Sequence, residues 1–145
     1  KRDAERLADA FLRNEHALQL ITNCEFEVPA IGMIQGYPFR GKADVLDSYR
    51  VVDLKTTSDL KAFPYSSRKY GYDVQVYIYS ELFNKPYEEF KFIAIDKGSL
   101  DIGIYDCSEE FYNSGKEKVT RALETYQAFF IDGADLDSYC IKGTL

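Results

Sequence analysis

Tryptophan is absent from the chain, histidine and methionine occur once each, and there are three cysteines and four prolines in 145 residues. Cys24, Cys107 and Cys140 lie far apart, with no C-x-x-C among them. That spacing excludes a disulfide framework and a zinc site built on close pairs, and it fits a reduced, cytoplasmic setting. The lone His16 stands among polar neighbours, as a solvated helix residue does, so histidine-centred triads have little to build on. No apolar run approaches the ~18 residues of a membrane helix, and no basic-then-apolar leader opens the chain. Without repeats, low-complexity tracts or a proline-rich linker, one domain over residues 1–145 is the economical expectation.

Aromatic and apolar residues are plentiful. Twelve Tyr and ten Phe accompany a hydrophobic fraction of 46%, enough for a core without metal or disulfide staples and suggestive of an aromatic-rich sheet. The formal charge of −6 speaks against a general nucleic-acid coat. It leaves room for metal-binding carboxylates, and a local basic strip can still follow phosphate.

Apolar residues at spacings of three and four predict an amphipathic helix from the start of the chain to about Ile21. Short apolar runs split by Gly32 and Gln35-Gly36 predict a hairpin. Tyr49 to Thr57 reads as a third strand, covered on both faces, with Val52 and Leu54 turned toward one packed layer. A helix is expected from about Arg68 to Phe83, where Val74, Ile78 and Leu82 form one stripe. The segment EEFKFIAID, with Phe90, Phe92 and Ala94 alternating against Lys91, Ile93 and Ile95, and then LDIGIYDC predict a second hairpin. Ser108, followed by Glu109 and Glu110, caps a last helix running to about Ile131. The order α-βββ-α-ββ-α describes an α/β protein, a mixed central sheet flanked by helices.

The chemistry concentrates between Gly41 and Tyr79. Residues two apart on a strand share a face, so Asp53 and Lys55 project together from within the apolar run VVDL. Asp44, near the end of the preceding strand, comes beside Asp53 if the two strands pair. An Asp-x-Lys on a strand is commonly a solvated ion pair, but charges inside an apolar run are costly unless they serve something. Two carboxylates, with the Leu54 backbone carbonyl, offer hard oxygen ligands to Mg²⁺ or Mn²⁺. Such an ion polarises a scissile phosphate and activates a water, while Lys55 orients that water or steadies the phosphate charge. Gln75 and Tyr79, at i and i+4, share a helical face and can hold a DNA phosphate or the strand bearing the acids. Lys61, Arg68 and Lys69 flank that strand where phosphates can approach, and Tyr65 and Tyr70 can stack on an unpaired terminal base.

The ordered set GKAD, VVDLKTT and Y-D-V-Q-x-x-x-Y resembles the PD-(D/E)XK nuclease superfamily, and more narrowly the RecB-like, RecE-type exonucleases of phages and prophages. The resemblance covers about residues 23–107 and matches Asp44, Asp53, Lys55, Gln75 and Tyr79 position by position. It implies a restriction-endonuclease-like core and a Mg²⁺-dependent exonuclease degrading linear double-stranded DNA in the cytoplasm of a bacterium or phage-infected cell. It also implies a possible ring-shaped homo-oligomer and work beside a single-strand annealing protein in recombination.

Two departures accompany it. Family members carry a metal-ligating His or Glu on a helix near the start of the nuclease domain, and His16 is not in that setting. Glu25 and Glu27 on the first strand are the replacement candidates, with Glu27 carried into the ligand set; a ligand upstream of Lys1, on a missing helical segment, is the alternative. Many RecB-like relatives also bind an iron–sulfur cluster through four cysteines, which three scattered ones do not match, so no cluster is expected. A nuclease-like module that binds DNA or protein without cutting, and a restriction-type endonuclease on the same fold, are the competing expectations.

Overall fold

The computed structural model describes residues 2–135, 141, 143 and 144. Five strands form one mixed sheet in the order β1-β2-β3-β4-β5. β1 (Glu25–Ile34) and β2 (Tyr37–Leu46) make a long antiparallel hairpin around Gln35 and Gly36, both in the left-handed region. β2 pairs antiparallel with β3 (Val51–Thr57), and β3 runs parallel to β4 (Phe90–Asp96), which pairs antiparallel with β5 (Ile102–Asp106). The parallel step requires a crossover, supplied by α3 (Phe63–Lys69) and α4 (Tyr72–Phe83). With α5 (Glu109–Tyr126), these helices cover one face of the sheet. α1 (Arg2–Leu12) and α2 (Glu15–Ile21) cover the other.

Two expected helices are each broken, for local reasons. Asn14 interrupts the first: its side chain accepts from the Ala17 N–H at 2.9 Å, so it caps a new helix instead of continuing the old one. Gly71, at φ 72°, separates α3 from α4, and the helical region opens at Phe63 with Pro64 in its first turn, before the expected Arg68. The third strand starts at Val51, later than Tyr49, because the Asp47 carboxylate accepts the N–H groups of Tyr49 and Arg50 and closes a turn there. Glu88 and Glu89 lie in a short 3₁₀ turn ahead of β4. The last helix ends with a π-helical turn over Gln127–Ile131.

The two layers differ in how they fill. Ala43, Val51, Phe63, Val76, Phe90, Phe92 and Ala94 pack beneath α3 and α4. Val45, Val52, Ile93 and Ile95 pack beneath Phe11 and Ala17. β4 is therefore buried on both faces from Phe92 to Asp96: Phe90, Phe92 and Ala94 alternate into one layer, and Ile93 and Ile95 into the other. Central strands between two helical layers require that. Leu54 departs from that pattern: expected under a packed layer, it is 41% exposed in an apolar groove beside Leu7, Phe11, Leu12 and Ile21, because α1 stops short of covering it. No helix among the described residues is long and apolar enough to cross a membrane.

Candidate active site

β3 carries the central pair. Val51 and Asp53 point into the layer beneath α4, where Asp53 is only 2% exposed. Lys55 follows on the same face and places its Nζ 2.6 Å from Asp53 Oδ2. Oδ2 is buried, and the Lys55 ammonium is the partner that offsets its charge. Gln75, one turn into α4, donates from Nε2 to Asp53 Oδ1 and accepts from Lys55 Nζ at 3.0 Å on Oε1. Its amide fits only one way between an acid and an ammonium, which fixes both side chains. Burial pushes the Asp53 carboxyl up to about 6; Lys55 pulls against that rise, Asp44 adds to it by like-charge repulsion, and Gln75 opposes it.

Asp44 reaches the same place through an irregularity. β2 and β3 are paired only at Val45–Val52 and Leu46–Val51. One step further, where Asp44 would face Asp53, the ladder stops, and Asp44 Oδ2 accepts the Leu54 N–H at 2.9 Å instead. The same point is irregular toward β1. Ala43 packs in the α3–α4 layer while Val45, two residues on, packs in the α1–α2 layer, so the alternation of β2 slips at Asp44. Across from it, Glu27 has φ 55°, an uncommon conformation for this residue within a strand, and the pairing register skips Glu27 and Asp44. Such conformations persist where surrounding structure enforces them, often at functional sites.

Asp44, Asp53, Lys55 and Gln75 are thus brought together. Glu27, across from Asp44, is engaged in an ion pair with Lys42, and Glu25 is exposed at the start of β1. Of Leu54, the amide touches a site acid. Tyr79 packs against Gly41 and donates from its phenol to the Lys42 carbonyl at 3.0 Å, pinning β2 to α4. Gly41 is required there: a Cβ would stand 2.8 Å from the Tyr79 ring. Among the expected DNA contacts, Arg68 pairs with Glu110 at 3.1 Å and lies over the Phe111 ring, Lys69 lies near Tyr70, and Lys61 is exposed before α3. His16 is exposed on α2, far in sequence from every site element. Cys107 is buried with its thiol pushed up to about 12 by desolvation, Cys24 is beside Asp47, and Cys140 lies outside the described residues.

Tyr72 is the site residue that sequence reasoning missed. Lys55 Nζ stands 4.6 Å from the centre of its ring, and the ring stacks on Phe92. Its place three residues before Gln75 on α4 was the available signal.

The donor set suits a divalent cation in one respect and limits it in another. Two hard carboxylates lie close enough for Asp44 to raise the Asp53 carboxyl by repulsion, which a cation between them would relieve. Among the described residues, however, no group of three or more His, Cys, Asp or Glu side chains is gathered. Backbone carbonyl or water would have to complete such a site.

Among solved structures, a candidate exonuclease from Eubacterium rectale superposes over 99% of this chain with a TM-score of 0.68 at 20% identity, which establishes a shared fold. The chain spans 62% of that protein's length. A second structure, of the protein SSO0001, is 21% identical over 82% of this chain and 61% of its own, with a TM-score of 0.47. No curated protein matches the sequence. The profile of the PDDEXK-like domain of unknown function (DUF3799) matches residues 3–140. The chain therefore belongs to the PDDEXK-like family, a branch of the PD-(D/E)XK nuclease superfamily.

Proposed function

We propose that this chain is a metal-dependent nuclease domain that hydrolyses phosphodiester bonds of linear double-stranded DNA from an end. The observation that carries the reading is Asp53: buried, clamped by Lys55 at 2.6 Å and by Gln75, with the like charge of Asp44 close enough to act on it. Two carboxylates and an ammonium gathered around so buried a position are costly unless they serve something. PD-(D/E)XK nucleases generally use divalent metals. Asp44 and Asp53 would hold Mg²⁺ or Mn²⁺ here, with the Leu54 carbonyl as a third oxygen and Glu27 as a further carboxylate if it leaves Lys42. When bound, the ion polarises the scissile phosphate and lowers the pKa of a water.

The chain's own residues do the rest. Gln75 fixes the Asp53 carboxylate and the Lys55 ammonium relative to each other. Lys55 steadies charge on the phosphate oxygens and orients the attacking water. Tyr79 sets the distance between β2 and α4, and so the position of Asp44. Lys61, Arg68 and Lys69 guide the DNA backbone, Arg68 only after parting from Glu110. The reading extends to phage or prophage DNA processing in the cytoplasm, as a homo-oligomer beside a single-strand annealing protein.

The test is degradation of linear and closed circular DNA with Mg²⁺ by the wild type, Asp53→Ala and Lys55→Ala. Loss of linear DNA in the wild type alone supports the proposal. Cutting of closed circles would make the enzyme an endonuclease, and equal activity in all three proteins would remove the assigned roles. A DNA-binding module that does not cut is the second reading, and the two-acid donor set favours it. Tight DNA binding without Mn²⁺ binding would establish that alternative.

A further inference from the structure

Tyr72 also lines a cavity of about 280 Å³. Phe63, Tyr70 and Tyr72 wall it, and Thr56, Asp59 and Lys97 are on its rim. It adjoins the candidate active site directly. Thr56 and Thr57 follow Lys55 on β3, and the Tyr72 ring that lines the cavity also lies beneath Lys55 Nζ.

The cavity is built. Asp96 is buried at the end of β4, and its carboxylate accepts the N–H groups of Leu60, Gly98 and Ser99 at 3.1, 2.8 and 3.1 Å. One carboxylate thereby ties the loop after β3 to the turn after β4. The Lys97 N–H donates to the Thr57 carbonyl at 2.8 Å, a second tie between the same two loops. Asp59 caps the approach to α3 by accepting from the Lys61 and Ala62 N–H groups. The two loops that carry the rim are therefore tied together before anything binds, which reduces the ordering cost of a ligand.

Tyr70 is 65% exposed, and its ring centre lies 6.2 Å from that of Tyr72 with the planes at 37°. Among the described residues Lys97 has no ion pair, and it stands exposed at the mouth. An exposed aromatic ring, near which Lys69 Nζ stands 5.9 Å from the ring centre, a polar rim and the Lys97 ammonium beside the proposed phosphodiester-cleaving site match one chemical class, a nucleotide with its base unstacked. The volume is at or below the small end of ligand pockets, room for one base and not for a base pair. Tyr65, on α3, is exposed but does not line the cavity.

We propose that this cavity takes an unpaired terminal nucleobase of the DNA strand being cut, stacked on Tyr70, with Lys97 contacting the adjoining phosphate. The inference rests on the nuclease reading for its substrate. It adds that an end must present an unpaired nucleotide before the chain engages it.

The experiment places 2-aminopurine at the unpaired terminal nucleotide of a DNA hairpin, in separate 3′- and 5′-labelled versions, and titrates full chain without divalent metal. Fluorescence reads stacking and anisotropy reads binding, neither requiring cleavage. One of the two labels is expected to be quenched on binding. Tyr70→Phe should keep that quenching, whereas Tyr70→Ala should abolish it and weaken binding about tenfold, toward the low end for loss of a base–aromatic stack. Lys97→Ala should weaken binding and reduce its salt dependence while leaving the quenching of bound DNA intact. Quenching that survives Tyr70→Ala overturns the proposal, as does binding that quenches neither label or an absence of DNA binding. A wild type that quenches but never cleaves with Mg²⁺ would refute the nuclease reading while leaving the base subsite standing.

Discussion

Two buried aspartates on the α3–α4–α5 side of the sheet are handled in opposite ways. Asp73, in the first turn of α4, is fully buried against α5, where Lys118 Nζ lies at 2.5 Å, Ser114 Oγ at 2.7 Å and the Val74 N–H at 3.0 Å. Burial alone would push its carboxyl up, but Lys118, Ser114 and Val74 together hold it below the usual aspartate value. Asp53, equally deep, has Lys55 and Gln75 against its burial and the like charge of Asp44, and rises to about 6. The contacts of Asp73 outweigh its burial and make it a structural anchor. Those of Asp53 do not, which leaves a carboxylate that would gain from a further cation, as the proposed metal site requires.

The comparison can be broken at several points. Asp53→Ala should reduce DNA cleavage about a thousandfold, on the scale of removing one preorganised charge from a reaction centre. A loss under tenfold in single-turnover kinetics would make Asp53 a bystander. The structural side is more sensitive to shape. Gly115 of α5 packs directly on the Asp73 peptide, and a Cβ there would stand 2.0 Å from the Asp73 carbonyl oxygen. Gly115→Ala should therefore destabilise by about 3 kcal/mol in urea unfolding, despite the better helix propensity of alanine.

Lys118→Met removes the ammonium and keeps much of the stem packing. Lys118 is partly exposed, so the expected loss is about 2 kcal/mol, below that of a fully buried pair. The same variant tests the sign of the pH effect. Because the folded Asp73 ionises below its unfolded value of about 4, its contribution is complete above that pH and is lost as pH falls through the folded value. Acid unfolding curves of wild type and Lys118→Met should converge below that window; a constant offset down to the lowest pH would refute the assignment. The smallest effect is the most telling contrast. Asp53→Asn should change stability by about 0.5 kcal/mol or less, because it removes a charge that burial disfavours. A loss as large as that of Lys118→Met would make Asp53 a structural anchor too.

Much of this was legible in the chain, and the parts that were not share a cause. Period and turn chemistry pointed to the strands, to a mixed sheet and to the site strand with Asp53 and Lys55 on one face. The stripe of Val74, Ile78 and Leu82 pointed to the helix that became α4, and those three side chains do pack into one cluster. The break at Asn14 was readable as a cap but lay inside an otherwise continuous apolar stripe. The slip of β2 at Asp44 and the positive φ of Glu27 were not readable, since both arise where three strands and a helix meet. Alternation told against Leu54 for the same reason: its exposure depends on where α1 ends. Spacing put Gln75 on the right face of α4 but could not distinguish a DNA contact from what the structure has, a clamp on Asp53 and Lys55. Tyr79 likewise reaches the main chain of Lys42, a partner 37 residues away.

The central claim is that Asp44 and Asp53 together hold one divalent cation. Mn²⁺ titration followed by electron paramagnetic resonance on wild type, Asp53→Asn and Asp73→Asn tests it without reference to cleavage. One ion bound per chain in the wild type and in Asp73→Asn, with binding weakened at least tenfold in Asp53→Asn, is the predicted result. Equal binding in wild type and Asp53→Asn, or no binding in the wild type, would contradict it.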